Sequence, residues 1–392
     1  MNKLHTLIMS ITMTATSACA QEAQFLGLGD LPGGVHSSAA SDLSRDGLVV
    51  TGLSVIGANS STAFLWTPVD GMTALGHLPG GRAQSGAAAV SPEGRWVVGQ
   101  SDSAAGNQAF AWSEGTGIFG LGDLPGGKFE SSARSVSRNG RVIVGKGTVS
   151  WNGQDASEAF RWSRAGGMVG MGTLPTTDRK PSSTATDISA DGNVIVGGST
   201  ITGGGVAFRW TEETGMVALE SLSDDPLASY AEAVSADGMW AVGRSYFRGD
   251  DGVQIGEAVM WDPLGNIIEL GFLDDGVYHT SEAADVALGG RAVVGSASIN
   301  GSPRPFLWTP EDGMRSIVSV LLEDYGIDVV AAGWRLAHAE AITPDGRTIV
   351  GWGTNPTGGQ EAWMVRLPVP APSTLPPLAI AALLATRRRR HG

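Results

Sequence analysis

Short apolar strings separated by glycine-rich turns follow one another along most of the chain, without the periodicity of long amphipathic helices. An Asp-Gly or Asn-Gly pair lies between two such strings at Asp46-Gly47, Asn139-Gly140, Asp191-Gly192, Asp237-Gly238 and Asp345-Gly346. Tight β-hairpins favour these pairs because their central residues need positive φ. The pattern therefore predicts an all-β chain of short antiparallel strands.

Three markers recur together along the chain and divide it into seven units. The first is a tryptophan, at Trp66, Trp112, Trp162, Trp210, Trp261, Trp308 and Trp363. The second is a glycine after β-branched residues, at Gly52, Gly99, Gly145, Gly197, Gly243, Gly295 and Gly351. The third is an alanine, called the repeat alanine below, at Ala40, Ala87, Ala133, Ala185, Ala231, Ala283 and Ala339. Three independent markers give the same count.

Each unit contains four predicted strands, as the fourth unit illustrates. Its strands lie at Ser183–Ser189, Asn193–Gly197, Ala207–Trp210 and Gly215–Glu220. Four strands in about 49 residues are typical of one β-propeller blade. We therefore predict a seven-bladed β-propeller, with the tryptophans filling the wedges between blades.

The string Leu-Pro-Gly-Gly is predicted to connect the last strand of one unit to the first strand of the next. Proline removes a backbone donor there, and the glycines allow a sharp return. The seventh unit reaches Leu367 without a fourth strand, whereas Gln24–Leu31 resembles a fourth strand with no unit before it. We therefore expect the N-terminal strand to complete the last blade and close the ring.

The two ends of the chain indicate export. Residues 1–20 have the basic start, apolar centre and small-residue end of a secretory signal peptide. Cys19 is the only cysteine, so cleavage after residue 20 leaves no disulfide, whereas a lipoprotein alternative would acylate Cys19. Residues 369–392 contain a proline-rich lead, an apolar run at Leu375–Ala385 and four arginines, and the run is too short for a permanent membrane span.

Both the tail and the repeats resemble known families. The tail resembles a PEP-CTERM sorting signal, although its core, Pro370-Ala371-Pro372, lacks the usual glutamate. This resemblance implies an exosortase-like membrane protease as partner. Residues 25–368 resemble HAF repeats of extracellular bacterial proteins, and Gly333–Pro368 is particularly similar to how such proteins end. The resemblance implies a repeat architecture and an extracellular or cell-envelope location, and it implies no established activity.

The net charge of the chain and its motifs argue against several classes of function. The net charge of −13 disfavours nucleic acid and anionic lipid as partners. Gly122–Phe129 resembles a phosphate-binding loop, but it has Phe129 where a hydroxyl should hold magnesium, so we interpret it as a connector. The sequence contains no HExxH or GxSxG motif.

Imidazoles and carboxylates recur at equivalent places in the units. His36 and His279 lie four residues before a repeat alanine, and Asp42, Asp187 and Asp285 lie two residues after one. A ring of these groups at a channel mouth could bind a cation or a sugar, and the alternative is that they are solvated or hydrogen-bonded to strand ends. We predict no cofactor, with calcium at the acidic loops Asp224-Asp225, Gly249–Gly252 and Asp274-Asp275 as an alternative to plain turns.

These features together predict an exported cell-surface protein that is not an enzyme and acts as a binding or structural module. Surface polysaccharide or protein would be its ligand. The alternative is a polysaccharide-active hydrolase or lyase with a propeller fold, which should bring charged residues from different blades into one pocket. The apolar insertion at Ser319–Arg335 is predicted to form a short helix over the seam, the alternative being an exposed docking face.

Overall fold

The computed structural model describes residues 22–33, 37–177, 179–223, 228–249, 252–273 and 279–368. These residues form β-strands almost throughout, as the turn pattern predicts. The strands of units 1 to 3 are β2 Ser38–Leu43, β3 Val50–Gly57, β4 Ser60–Thr67, β5 Gly71–Gly76, β6 Gly80–Val90, β7 Val97–Ser103, β8 Gly106–Ser113, β9 Gly117–Gly122, β10 Ser131–Val136, β11 Val142–Trp151, β12 Gln154–Ser163 and β13 Gly167–Gly170.

The strands of units 4 to 6 are β14 Ser183–Ile188, β15 Ile195–Ile201, β16 Gly204–Thr211, β17 Gly215–Ala218, β18 Ser229–Val234, β19 Ala241–Arg248, β20 Gln254–Trp261, β21 Ile267–Gly271, β22 His279–Val286, β23 Val293–Ile299, β24 Ser302–Thr309 and β25 Gly313–Ser316. The last unit consists of β26 Arg335–Ile342, β27 Thr348–Thr354 and β28 Gln360–Arg366, together with β1 Gln24–Gly27.

Most units are separate four-stranded antiparallel sheets in which consecutive strands pair. Units 1 and 2 are joined into one larger sheet by a single parallel pair, Ser61 with Gln84. The N-terminal strand β1 pairs antiparallel with β28, from Gln24 opposite Arg366 to Gly27 opposite Trp363. The first strand of each unit contacts the first strands of the neighbouring units, and β2 contacts β26 in the same way.

A serine two residues before the repeat alanine links consecutive units. In unit 4 the Ser183 hydroxyl accepts a hydrogen bond from the Ala159 N–H (2.9 Å) and donates to the Gly172 carbonyl (2.6 Å), both in unit 3. Ser38 makes the same two bonds with the Ala362 N–H (3.0 Å) and the Gly29 carbonyl (2.7 Å). The same motif therefore ties unit 1 to the last unit and to the N-terminal segment.

The structure confirms that Leu-Pro-Gly-Gly connects consecutive units, and it shows how the leucine is held. Leu78 is buried, and its N–H donates to the Ser101 hydroxyl (3.0 Å) of the unit that follows. The connector thus reaches across to the second strand of the next sheet before it turns into the first strand.

The prediction that tryptophans fill the space between units is confirmed in part. All seven repeat tryptophans belong to or pack against core clusters that two units share, but most of them are only partly buried. The fully buried aromatic residues there are mostly phenylalanines, namely Phe64, Phe110, Phe160, Phe208 and Phe306. The alignment of Trp363 with Trp66 is wrong. Trp363 lies opposite Gly351, as Phe64 lies opposite Gly52, so it takes the phenylalanine position.

The insertion before the last unit confirms the predicted short helix, α1, which spans Ile317–Tyr325. The Ser316 side chain caps its N-terminus, and Gly326 ends it in a left-handed conformation. Ile317 and Leu321 are buried in a cluster that includes Trp334 and Trp363, against which Phe25 of β1 packs. None of the helices in the described ranges is long and apolar enough to cross a membrane.

Candidate active site

Asp42, Asp187 and Asp285 lie on first strands and link consecutive units. Each carboxylate accepts the N–H of the residue that follows it and an N–H from the next unit. The second donors are Val90 (2.8 Å), Val234 (2.7 Å) and Ile342 (2.8 Å). This geometry agrees with hydrogen bonding to neighbouring strands, and ligand binding by the three aspartates stays a prediction.

All three aspartates have raised pKa values. Burial raises the pKa of Asp42 to about 7, and the charge of Asp187 raises it further. Burial likewise raises the pKa of Asp187, although a hydrogen bond from Ser135 (2.6 Å) opposes this effect. Burial raises the pKa of Asp285 well above its usual range, and the charges of Asp187 and Asp42 add to this. The carboxylates of units 1, 4 and 6 are therefore close enough for their charges to interact.

These raised pKa values predict that the protein becomes more stable as the pH falls from about 8 to about 5. The native state takes up a proton at Asp42 in this range, whereas the unfolded chain, with an aspartate pKa near 3.9, does not. The free energy of unfolding should rise by roughly 2–3 kcal/mol from Asp42 alone. Urea unfolding of the wild type and of Asp42→Asn at several pH values measures this. The variant should show a weaker dependence on pH, and an identical dependence in both proteins would contradict the prediction.

The predicted histidines and acidic loops fall largely outside the part of the chain that can be described. His36 lies outside the described residues. His279 begins β22 opposite Ile299, and its side chain is outside the description. Asp224-Asp225 and Asp274-Asp275 are also outside it. Among the described residues, no group of three or more His, Cys, Asp or Glu side chains is arranged to hold a metal ion.

A second group of side chains, which the sequence analysis missed, consists of residues that flank the repeat alanines of units 5 to 7 and of Arg244 on β19 of unit 5. We call it the axial cluster and define it as Tyr230, Glu232, Arg244, Glu282 and Glu340. The corresponding flanking positions in units 1, 2 and 4 carry small residues, namely Ala39, Ser41, Gly86, Ala88, Thr184 and Thr186. The sequence could have revealed this cluster through the contrast between repeats. Small residues at these positions are sufficient for the fold in units 1, 2 and 4, so charged residues at the same positions in other units indicate a separate function.

The centre of the axial cluster is a pair of glutamates that share a hydrogen bond, Glu232 and Glu282. The Arg244 Nη1 atom lies 3.0 Å from the Glu282 Oε2 atom, and the Arg244 guanidinium lies 5.6 Å from the centre of the Tyr230 ring. Arg244 thus pairs with Glu282, while the hydrogen bond with Glu282 raises the pKa of Glu232 and so favours the proton on Glu232.

Burial raises the pKa of Glu232 to about 7, and the charge of Glu282 is the next largest cause. The charges of Arg244 and of Arg134, which comes from unit 3, lower the same pKa and only partly offset these effects. An acid with a pKa near neutrality can exist in both protonation states under physiological conditions. Glu232 is therefore suited to general acid catalysis.

Glu340 supplies a further carboxyl group from the last unit. The Trp352 indole N–H donates to its Oε1 atom (2.8 Å), which fixes its position. Burial raises its pKa, and the charge of Glu282 adds to this, whereas the bond from Trp352 lowers it. His338 stacks on Trp352 with ring centres 4.3 Å apart, and burial lowers its pKa, which favours a neutral imidazole. The site thus combines an acid, a second carboxyl and a neutral imidazole from neighbouring units.

No protein-family model matches the sequence, and no curated protein matches it either. Among solved structures, an oligogalacturonate lyase in complex with manganese has a TM-score of 0.53 at 14% identity, over 89% of this chain and 97% of the lyase. An oligogalacturonate lyase from Vibrio parahaemolyticus has a TM-score of 0.52 at 10% identity, over 88% of this chain and 97% of that one. The fold is a β-propeller. A prolyl endopeptidase also matches, with a TM-score of 0.53 at 12% identity over 85% of this chain, but this chain spans only 50% of its length.

These matches correct the main functional interpretation of the sequence. A non-catalytic binding or structural module at the cell surface was predicted, and this interpretation is wrong, because the propellers that match most of this chain are lyases and a peptidase. At 10% to 14% identity the likeness shows the fold, and it does not test the expectation that the chain lacks catalytic activity.

Proposed function

We propose that this protein is a propeller-fold enzyme that cleaves glycosidic bonds in a polysaccharide, with Glu232 as the general acid. One observation carries the proposal: the buried Glu232 carboxyl is hydrogen-bonded to Glu282, which forms an ion pair with Arg244. The residues come from two units, as expected if a pocket is assembled at the axis. Two oligogalacturonate lyases that share the fold over most of this chain support a polysaccharide as the substrate class.

Glu232 would donate its proton to the glycosidic oxygen while the bond between that oxygen and carbon breaks. This step is common to hydrolysis and to elimination, because in both reactions the departing sugar leaves as an alcohol. About half of the Glu232 side chains carry the proton at neutral pH, because the pKa is about 7. Burial and the charge of Glu282 favour the protonated acid, and the charge of Arg244 opposes them.

Residues of the last unit would act as the base that accepts the second proton. In hydrolysis, a base takes a proton from the attacking water, and in elimination it takes one from a sugar carbon as a double bond forms. Glu340, held by Trp352, and neutral His338 both fit this role. Tyr230, which is 38% exposed, offers an aromatic face on which a sugar ring can lie.

Incubation of the purified protein with a panel of neutral and uronate-containing polysaccharides tests this proposal. New reducing ends are expected from at least one polymer. Ultraviolet absorbance by an unsaturated uronate would identify elimination, and its absence would identify hydrolysis. If no polymer in the panel yields new reducing ends, the proposal is wrong.

We further propose that the units are seven blades of one ring and that β1 closes it. Three observations support this arrangement. The first strands contact one another in sequence, with β2 against β26, and β1 pairs with β28. Ser38 repeats, between unit 1 and the last unit, the bonds that link the other units.

An extracellular location would bring such an enzyme to its polymer. Our proposal of export rests on the signal-like residues 1–20, and that of surface sorting on residues 369–392, which resemble a PEP-CTERM segment read by an exosortase-like protease. Both segments lie outside the described residues. The HAF-repeat resemblance supports the same location.

A further inference from the structure

A cavity of about 370 Å³ lies between units 2 and 3, and none of its lining residues belongs to the axial cluster. Its walls include Trp96, Phe119, Ile143 and Trp162. The rings of Trp96 and Phe119 meet edge to face, with centres 6.5 Å apart and planes at 86°. The volume is within the range of small-molecule sites, and the aromatic walls offer flat apolar surfaces.

Trp96 departs from the repeat pattern at the cavity. The equivalent residue just before the second strand is Val49, Val142, Val194 or Ala292 in other units, as the strand registers show. Each of these residues packs against the hairpin glycine of the next unit, and Trp96 packs against Gly140 in this way. A tryptophan extends the contact surface beyond what this packing needs, and its indole forms a wall of the cavity.

Arg141 and Arg164 complete the cavity lining, and both are exposed residues. Across the described parts of the chain, neither forms an ion pair with an acidic side chain. Two guanidinium groups without acidic partners thus line one cavity of a protein with a net charge of −13. An anionic ligand would therefore be favoured locally although the molecule as a whole repels anions.

We infer that this cavity binds a hexuronate residue of an acidic polysaccharide. A pyranose ring presents apolar C–H faces that can pack on Trp96 and Trp162, and a uronate adds a planar carboxylate that guanidinium groups bind with paired hydrogen bonds. The combination of aromatic walls and two arginines fits a sugar acid better than a neutral sugar or a small inorganic anion. The inference uses residues of the cavity alone and stands whether or not the axial cluster is catalytic.

The equivalent place between units 5 and 6 provides an internal control. Trp240 packs against Gly290 there, as Trp96 packs against Gly140. The position equivalent to Arg164 is Pro310, because Trp308 and Thr309 correspond to Trp162 and Ser163. The equivalent of Arg141 is Arg291, whose Nε atom donates to the Leu288 carbonyl (2.9 Å). The site between units 5 and 6 therefore has the two tryptophans but lacks a pair of arginines that could bind a carboxylate.

The test is isothermal titration of the Glu232→Gln protein with a mannuronate trimer and with the neutral trimer cellotriose. The Glu232→Gln background limits turnover at the proposed catalytic site. We expect the uronate to bind, the neutral trimer to bind at least ~10-fold more weakly, and the affinity for the uronate to fall as salt is added.

Adding Arg141→Gln and Arg164→Gln together should weaken uronate binding at least ~10-fold, whereas adding Arg291→Gln should leave it unchanged. Both arginines of the cavity are exposed, so circular dichroism should show an unaltered fold. The inference is overturned if the uronate does not bind, if the double substitution has no effect, or if cellotriose binds equally well. If the wild-type protein binds the uronate but cleaves no polysaccharide, the proposed catalytic role of the axial cluster is wrong and the inference about the cavity stands.

Discussion

Deleting residues 22–33 is expected to remove most of the stability of the protein. The deleted segment contains β1, which pairs with β28, and Leu28 and Leu31, which are buried in a core cluster shared by unit 1 and the last unit. Truncation of one such leucine to alanine costs roughly 2–5 kcal/mol, and a whole domain is stable by only ~5–15 kcal/mol. The edge of β28 would also be left unpaired and prone to association. Thermal unfolding should show a midpoint lowered by at least ~10 °C, or no cooperative transition.

A matched pair of single substitutions separates this effect from the loss of chain length. Leu28→Ala removes a buried side chain (5% exposed), whereas Leu26→Ala, in β1 itself, removes one that is 47% exposed. The first should destabilise by roughly 2–5 kcal/mol and the second by less than ~0.5 kcal/mol. Equal effects, or a deletion that leaves the melting temperature unchanged, would refute closure by β1.

Replacing Glu232 by glutamine is expected to lower the rate of polysaccharide cleavage by at least ~100-fold. Glutamine has nearly the same shape and can still donate a hydrogen bond to Glu282, so the site should keep its structure. It cannot transfer a proton to the departing oxygen, and general acid catalysis contributes roughly 10²–10⁴-fold to such rates. The loss should appear in kcat more than in KM, because the proton is needed in the transition state.

The control is Glu269→Gln, which removes an exposed carboxylate from the fourth strand of the same unit. It replaces a carboxyl group by an amide, as Glu232→Gln does, and should leave the cleavage rate within about twofold of the wild type. If Glu232→Gln retains full activity, or if both variants lose activity equally, Glu232 is not the acid.

Much of the fold could be predicted because the same turn and serine motifs recur in several units of the sequence. Asp191-Gly192 and its equivalents fix hairpins, and Ser183 and its equivalents fix the contact between units. The exact partner of a buried aromatic residue could not be predicted in the same way. Phe160 and Trp162 lie two residues apart on β12 and therefore share a face, so spacing alone leaves open that Phe160 is fully buried and Trp162 only partly buried.

The site was harder to predict because its chemistry depends on contacts between units. The carboxylates chosen from the sequence, such as Asp42, recur at equivalent positions and bond to the next strand. The axial cluster is instead defined by positions that do not recur. Glu232 and Glu282 lie 50 residues apart in the sequence and on different sheets, so only the packing of units 5 and 6 reveals that their carboxyls meet.

The pH dependence of kcat/KM for the cleaved polysaccharide tests the central claim most directly, because it reports the ionisation of the acid in the free enzyme. The account predicts that kcat/KM falls as the pH rises through about 7, the pKa of Glu232. In Glu282→Gln this fall should move to lower pH, because the neighbouring negative charge that raises the pKa is gone. Two results would contradict the assignment of Glu232 as an acid whose pKa is raised by Glu282. One is a kcat/KM that does not change with pH in this range, and the other is a fall in kcat/KM that occurs at the same pH in Glu282→Gln as in the wild type.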